Sequence, residues 1–113
     1  MILNGGLNRV RDLHSADIIN GNLGTAATTV VGTQTTLVGP IPAATGSATV
    51  TTGEQTTVVS YTLPSTTGTG YTYREFGTTN SSDTYFDRNI FTGVEHTEAD
   101  DLVIQKTYYY ENG

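Results

Sequence analysis

The eight residues Thr56–Leu63, TTVVSYTL, fall into two sets by parity: Thr57, Val59, Tyr61 and Leu63 on one, Thr56, Val58, Ser60 and Thr62 on the other. A period of two is the pattern of a strand with one buried face, because successive side chains point to opposite sides of a sheet. Pro64 follows at once, and with no N–H to give to a ladder it closes the strand. A chain that contains such a strand must build the rest of its fold around a second layer.

The surrounding residues agree with that requirement. From Thr25 to Leu63 the chain is dominated by β-branched residues, "TTVVGTQTTLV" and then "SATVTTGEQTTVVSYTLP", with "GPIP" at Gly39 to Pro42 as a breaker between them. The loop "PSTTGTG" leads to "YTYREFG". Two more candidate strands, "DTYFDRNIF" and "DLVIQKTYYY", are separated by the acidic stretch "TGVEHTEAD". Short strands with turn signals every ten or so residues predict an all-β fold, an antiparallel β-sandwich or small barrel. At 113 residues the chain can bury one modest core. Ahead of the sheet, Leu7, Val10 and Leu13 recur at three-residue spacing, which predicts a short N-terminal helical turn or arm that must dock to be stable. The expected organisation is one domain, with residues 1–24 forming the arm and a first short strand around "ADIINGNLGT", and residues 25–113 forming the sandwich. No internal repeat is present.

Charge narrows the function. There are 11 acidic and 5 basic residues, a net charge of −6, and no basic patch, so nucleic acid is not an expected partner. From Thr25 to Tyr73 the only charged side chain is Glu54, and a neutral, hydroxyl-rich face suits subunit packing, where charge is depleted. The chain has no cysteine, so neither a disulfide framework nor thiolate chemistry enters. No apolar run approaches membrane-spanning length, and "MILNGGLNRVRD" lacks the apolar centre of a signal peptide; synthesis in the cytoplasm and no membrane partner are expected.

Candidate chemistry is sparse. The two histidines, His14 and His96, are far apart in sequence and lie in no nucleophile motif, so catalysis is not expected and no cofactor is implied. Glu95, His96, Glu98, Asp100 and Asp101 are hard-ligand residues, the weak candidate for a cation, but their spacing matches neither an EF-hand nor a zinc motif; a solvated acidic turn is the simpler reading and no metal is expected. Tyr71, Tyr73, Tyr85, Tyr108, Tyr109 and Tyr110 could supply flat faces for a sugar, although tyrosines also fill sandwich cores and interfaces.

The remaining signal is charge on apolar strand faces. Strict alternation puts Glu75 with Tyr71 and Tyr73, leaves Arg74 with Thr72 and Phe76, sets Arg88 between Phe86 and Ile90, and sets Lys106 between Ile104 and Tyr108. A lone buried charge is unfavourable, so Glu75 and Arg88, with Lys106 nearby, are expected to form an ion pair bracing adjacent strands. Lys106 is also a candidate for a self-made bond to an asparagine beside an acid. Leu7, Val10, Leu13, Arg74, Tyr108, Tyr109 and Tyr110 are the candidate interface residues.

The order of these segments resembles the small β domains of tailed-phage virion proteins, of tail-fibre, baseplate or tail-accessory type. The matching residues are Gly24 and Thr25, Thr36 and Leu37, Arg74 to Gly77, Arg88 with Ile90 and Phe91, and Leu102 to Ile104. The resemblance implies a structural component of a virion, in the tail, neck, baseplate or capsid decoration, made in the host cytoplasm. Its partners would be other virion proteins and copies of itself in a homo-oligomer. The alternative function is a receptor- or glycan-binding β-sandwich module.

Overall fold

A computed structural model describes residues 4–110. Its elements in chain order are α1 (Asn4–Asp17), β1 (Asn20–Gly24), β2 (Pro40–Ser47), β3 (Thr49–Gly53), β4 (Thr56–Leu63), β5 (Thr72–Thr79), β6 (Asn89–Glu95) and β7 (Leu102–Tyr109). The strands make two sheets, one in the order β2-β1-β5-β6 and one in the order β3-β4-β7, with every pairing antiparallel. The fold is a β-sandwich preceded by one short helix.

In β4 the set Thr57, Val59, Tyr61 and Leu63 is buried throughout. Tyr61 and Leu63 meet Leu23, Ala44, Tyr73 and Phe76 from the first sheet, and Ile41, Phe91, Leu102 and Ile104 close the edges of this core. β1 lies between β2 and β5 in the interior of its sheet, and its alternation assigns the two faces. Gly21 and Leu23 point inward, where a Cβ on Gly21 would come within 2.9 Å of both Phe76 and Tyr61. Asn22 and Gly24 point outward, and Gly24 is paired with Glu75.

The structure departs from the sequence expectations in three places. First, "TTVVGTQTTLV" forms no strand: residues 25–39 cross the outer face of the first sheet as a loop, and "GPIP" begins β2 instead of breaking the sheet. The stretch has β-branched residues but no alternation, since Val30 and Val31 are adjacent and both exposed. Its backbone amides at Ala26, Val38 and Gly39 go to a side chain rather than to a neighbouring strand.

Second, strict alternation fails in β5. Tyr73 and Phe76, three residues apart, both belong to the core, and the register against β6 slips between Tyr73 and Glu75. Glu75 therefore leaves the aromatic face and turns outward. "DTYFDRNIF" likewise becomes strand only from Asn89, with Tyr85 held to Thr79 by an isolated bridge.

Third, α1 is a 14-residue helix that docks through a polar stripe. Asn8 Oδ1 accepts the Gln55 amide at 2.8 Å, Arg11 donates to the Gly53 carbonyl at 2.6 Å, and the His14 ring meets Phe86, Tyr108 and Tyr110 edge-on. Val10 and Leu13, expected to dock, are 46% and 58% exposed; the side chain of Leu7 lies outside the described residues.

Candidate functional site

The dipeptide Asp87-Arg88, just ahead of β6, organises two polar clusters on the two faces of the first sheet. Arg88 turns outward, where its Nε donates to Glu75 Oε1 at 2.7 Å, with both side chains buried. Glu75 is saturated: Oε1 also accepts the Val38 amide at 2.9 Å, and Oε2 accepts the amides of Gly39 at 2.7 Å and Ala26 at 3.1 Å. Arg88 in turn donates to the Thr28 carbonyl at 2.8 Å and the Thr28 hydroxyl at 3.2 Å. The pair thus joins β5 to the residue just ahead of β6 and, through its remaining hydrogen bonds, fastens the 25–39 loop to the sheet. Burial pushes the Glu75 carboxyl up, but Arg88 and the three amides together outweigh it and hold it below its ordinary value. Gly24 is required beneath it, because a Cβ there would lie 2.5 Å from Glu75 Oε2 and 2.6 Å from the Gly39 carbonyl.

Asp87 turns inward. Lys106, grouped with Glu75 and Arg88 on the sequence reading, instead meets Asp87 Oδ2 at 2.8 Å from the opposite sheet. The outward turn of Glu75 leaves Asp87 as the carboxylate facing β7. The same oxygen accepts from Tyr108 at 2.8 Å and from Asn89 at 3.2 Å, and the Lys106 ammonium sits 4.8 Å from the centre of the Tyr108 ring. Burial again pushes the Asp87 carboxyl up, and these contacts bring it below its ordinary value. Tyr108 also shares a hydrogen bond with Thr78, while Tyr110 meets His14 and donates to Thr57 at 3.1 Å.

These clusters flank the open side of the sandwich. Among the described residues β6 ends the first sheet and β7 ends the second, so two strand edges with no further strand lie beside each other with a groove of about 450 Å³ between them. Phe76, Phe91 and Ile104 give the groove an apolar wall, and Asn89 and Lys106 lie along it. Ile90 and Val94 on β6, and Val103 and Tyr109 on β7, are exposed along the two edges. Strict alternation groups Ile90 with Arg88 on an apolar face, and it does not by itself mark Ile90, Val94 or Val103 as interface residues. The signal was available in β7, where Val103 and Tyr109 lie on the parity opposite to Ile104 and Tyr108, but which strands would end the sheets was not written in any one segment.

The other candidate residues are dispersed. His96 is buried, with Nε2 facing the carbonyls of Pro64 and Thr67 at 2.9 Å each, so that nitrogen must carry a proton and serves the 64–70 loop. Those contacts hold the buried ring in the loop, apart from the exposed carboxylates beside it in the weak cation candidate. Glu95, Glu98, Asp100 and Asp101 are exposed, and among the described residues no group of three or more His, Asp or Glu is placed to hold a metal ion. Arg74 is half-buried and, among the described residues, donates only to the Thr72 carbonyl at 3.4 Å. Among the tyrosines, Tyr71, just ahead of β5, and Tyr109, on β7 of the other sheet, are exposed, whereas Tyr73 is buried and the Tyr85 hydroxyl donates to Asn22 at 2.7 Å.

No protein family, curated protein or solved structure matches the chain.

Proposed function

We propose that this chain is a structural, self-associating component of a tailed-virus virion, in the tail, neck, baseplate or capsid decoration, that acts through protein contacts and catalyses no reaction. The observation that carries the assembly reading is the open side of the sandwich. Two free strand edges of seven and eight residues lie beside an apolar groove and display Ile90, Val94, Val103 and Tyr109 to solvent. Exposed edges offer unpaired N–H and C=O groups to another strand, and they carry none of the usual protection by lysine or proline pointing outward. The occupant is a second copy of the chain, paired edge to edge in a closed symmetric oligomer. The virion assignment rests on the resemblance in segment order.

Mass measurement in solution tests the assembly reading. The wild-type chain is expected as a defined oligomer, and Val103→Lys, at an exposed position where the fold makes no demand, is expected to give a folded monomer. A wild-type chain that stays monomeric across the micromolar range, or a Val103→Lys variant that assembles unchanged, overturns it. Capture of the tagged chain by purified tailed virions tests the setting.

A further inference from the structure

We propose that Lys106 and Asn89 are the partners of a self-made amide cross-link, with Asp87 as the proton carrier between them, which staples the two sheets across the open side of the sandwich. Lys106 lies on β7 and Asn89 opens β6, so the two belong to different sheets and face the same groove. One oxygen, Asp87 Oδ2, accepts from both: Lys106 Nζ at 2.8 Å and Asn89 Nδ2 at 3.2 Å. The amine and the amide are therefore held within about 6 Å of each other by a single group able to take a proton from one and give it to the other. The side chains of Lys106 and Asp87 are only 22% and 21% exposed, and Phe76, Phe91 and Ile104 line the groove beside them. Tyr108 donates to the same oxygen and fixes the carboxylate in place.

The chemistry balances without any further reagent. In the resting state Lys106 is an ammonium and Asp87 a carboxylate. A proton passes from Nζ to Asp87 Oδ2, leaving a neutral amine, the nucleophilic form of lysine. Rotation of the Asn89 amide turns its oxygen toward the protonated Asp87, which polarises the carbonyl. The Nζ electron pair attacks Asn89 Cγ, a C–N bond forms, and the carbonyl electron pair moves onto Oδ1. As the carbonyl re-forms, the Cγ–Nδ2 bond breaks. The nitrogen leaves as ammonium, having taken one proton from the attacking amine and the one carried by Asp87, which returns to its carboxylate form. The contacts that keep Asp87 ionised make the neutral pair the minor form, so the bond is expected to mature slowly after folding.

Intact-mass measurement of the full chain after prolonged incubation at neutral pH is the test. The expected product is lighter than the sequence by one ammonia, about 17 Da. Because Asn-Gly steps such as Asn20-Gly21 can also lose ammonia, the site must be mapped: cleavage after Arg88, Glu95 and Glu98 should leave a branched peptide joining Asn89 to Lys106. Lys106→Arg keeps the charge beside Asp87 and should abolish the branched peptide, and Asp87→Ala should slow its appearance at least tenfold. A chain that retains its full mass, an ammonia loss that maps elsewhere, or a branched peptide that persists in Lys106→Arg overturns the proposal.

Discussion

Asp87 and Arg88 are neighbours in the chain that serve opposite faces of one sheet: the Asp87 carboxylate meets Lys106 at 2.8 Å inside the sandwich, and the Arg88 guanidinium meets Glu75 at 2.7 Å on the outside. The backbone ahead of β6 thereby ties the second sheet and the 25–39 loop to the same point. Stability and the geometry of the open side are linked through this dipeptide.

Glu75→Gln should destabilise the fold by about 3 to 5 kcal/mol, because it leaves the Arg88 charge buried without its partner. The measurement is urea unfolding, with hydrogen exchange showing the loss concentrated in residues 25–39. Replacing the pair by apolar residues, often harmless elsewhere, should recover little here: the amides of Ala26, Val38 and Gly39 would still lose their acceptor. A double variant as stable as the wild type would show that the loop does not depend on this carboxylate.

Stability should fall in acid. Glu75 and Asp87 both titrate below their ordinary values in the folded chain, so each binds its proton more readily when unfolded. Their contribution is fully present above about pH 5 and is lost as the pH falls through the lowered folded-state values. Unfolding free energies measured between pH 7 and 3 should show this slope, and Glu75→Gln should flatten it.

The docking of α1 should weaken in mild acid. Burial among Phe86, Tyr108 and Tyr110 lowers the His14 value; Asp87 and Asp17 oppose the shift and Lys106 adds to it. The neutral ring is favoured when docked, so docking is strongest above the ordinary histidine value of about 6.5 and is lost progressively as the pH falls below it. The protection of residues 8–17 against hydrogen exchange, taken relative to the intrinsic amide rate at each pH, should fall severalfold between pH 7.5 and 5. His14→Phe keeps an aromatic edge without a titrating group and should remove that dependence; an unchanged fall in protection in this variant would assign it to another group.

The sandwich was legible because alternation in Thr56–Leu63 is a local property: each side chain's face follows from its parity, and the buried set is the apolar set. The helix was legible as an element but not in its docking face, since the threefold spacing of Leu7, Val10 and Leu13 is shared by Asn8, Arg11 and His14, and specific hydrogen bonds and ring contacts chose the second stripe. Strict alternation marks Glu75 and Arg88, yet alternation is not what brings them together: a slip of register turns Glu75 outward to the 25–39 loop, whose β-branched residues resemble those of a strand.

By itself, then, the sequence determined that this chain pairs strands and buries one face of them, because β-branching and a period of two act over a few residues. Tertiary structure decided which carboxylate meets which base, which segment gives its amides to a side chain, and which strands end the two sheets. Those outcomes depend on register and strand order, and both are set by contacts between residues far apart in the chain.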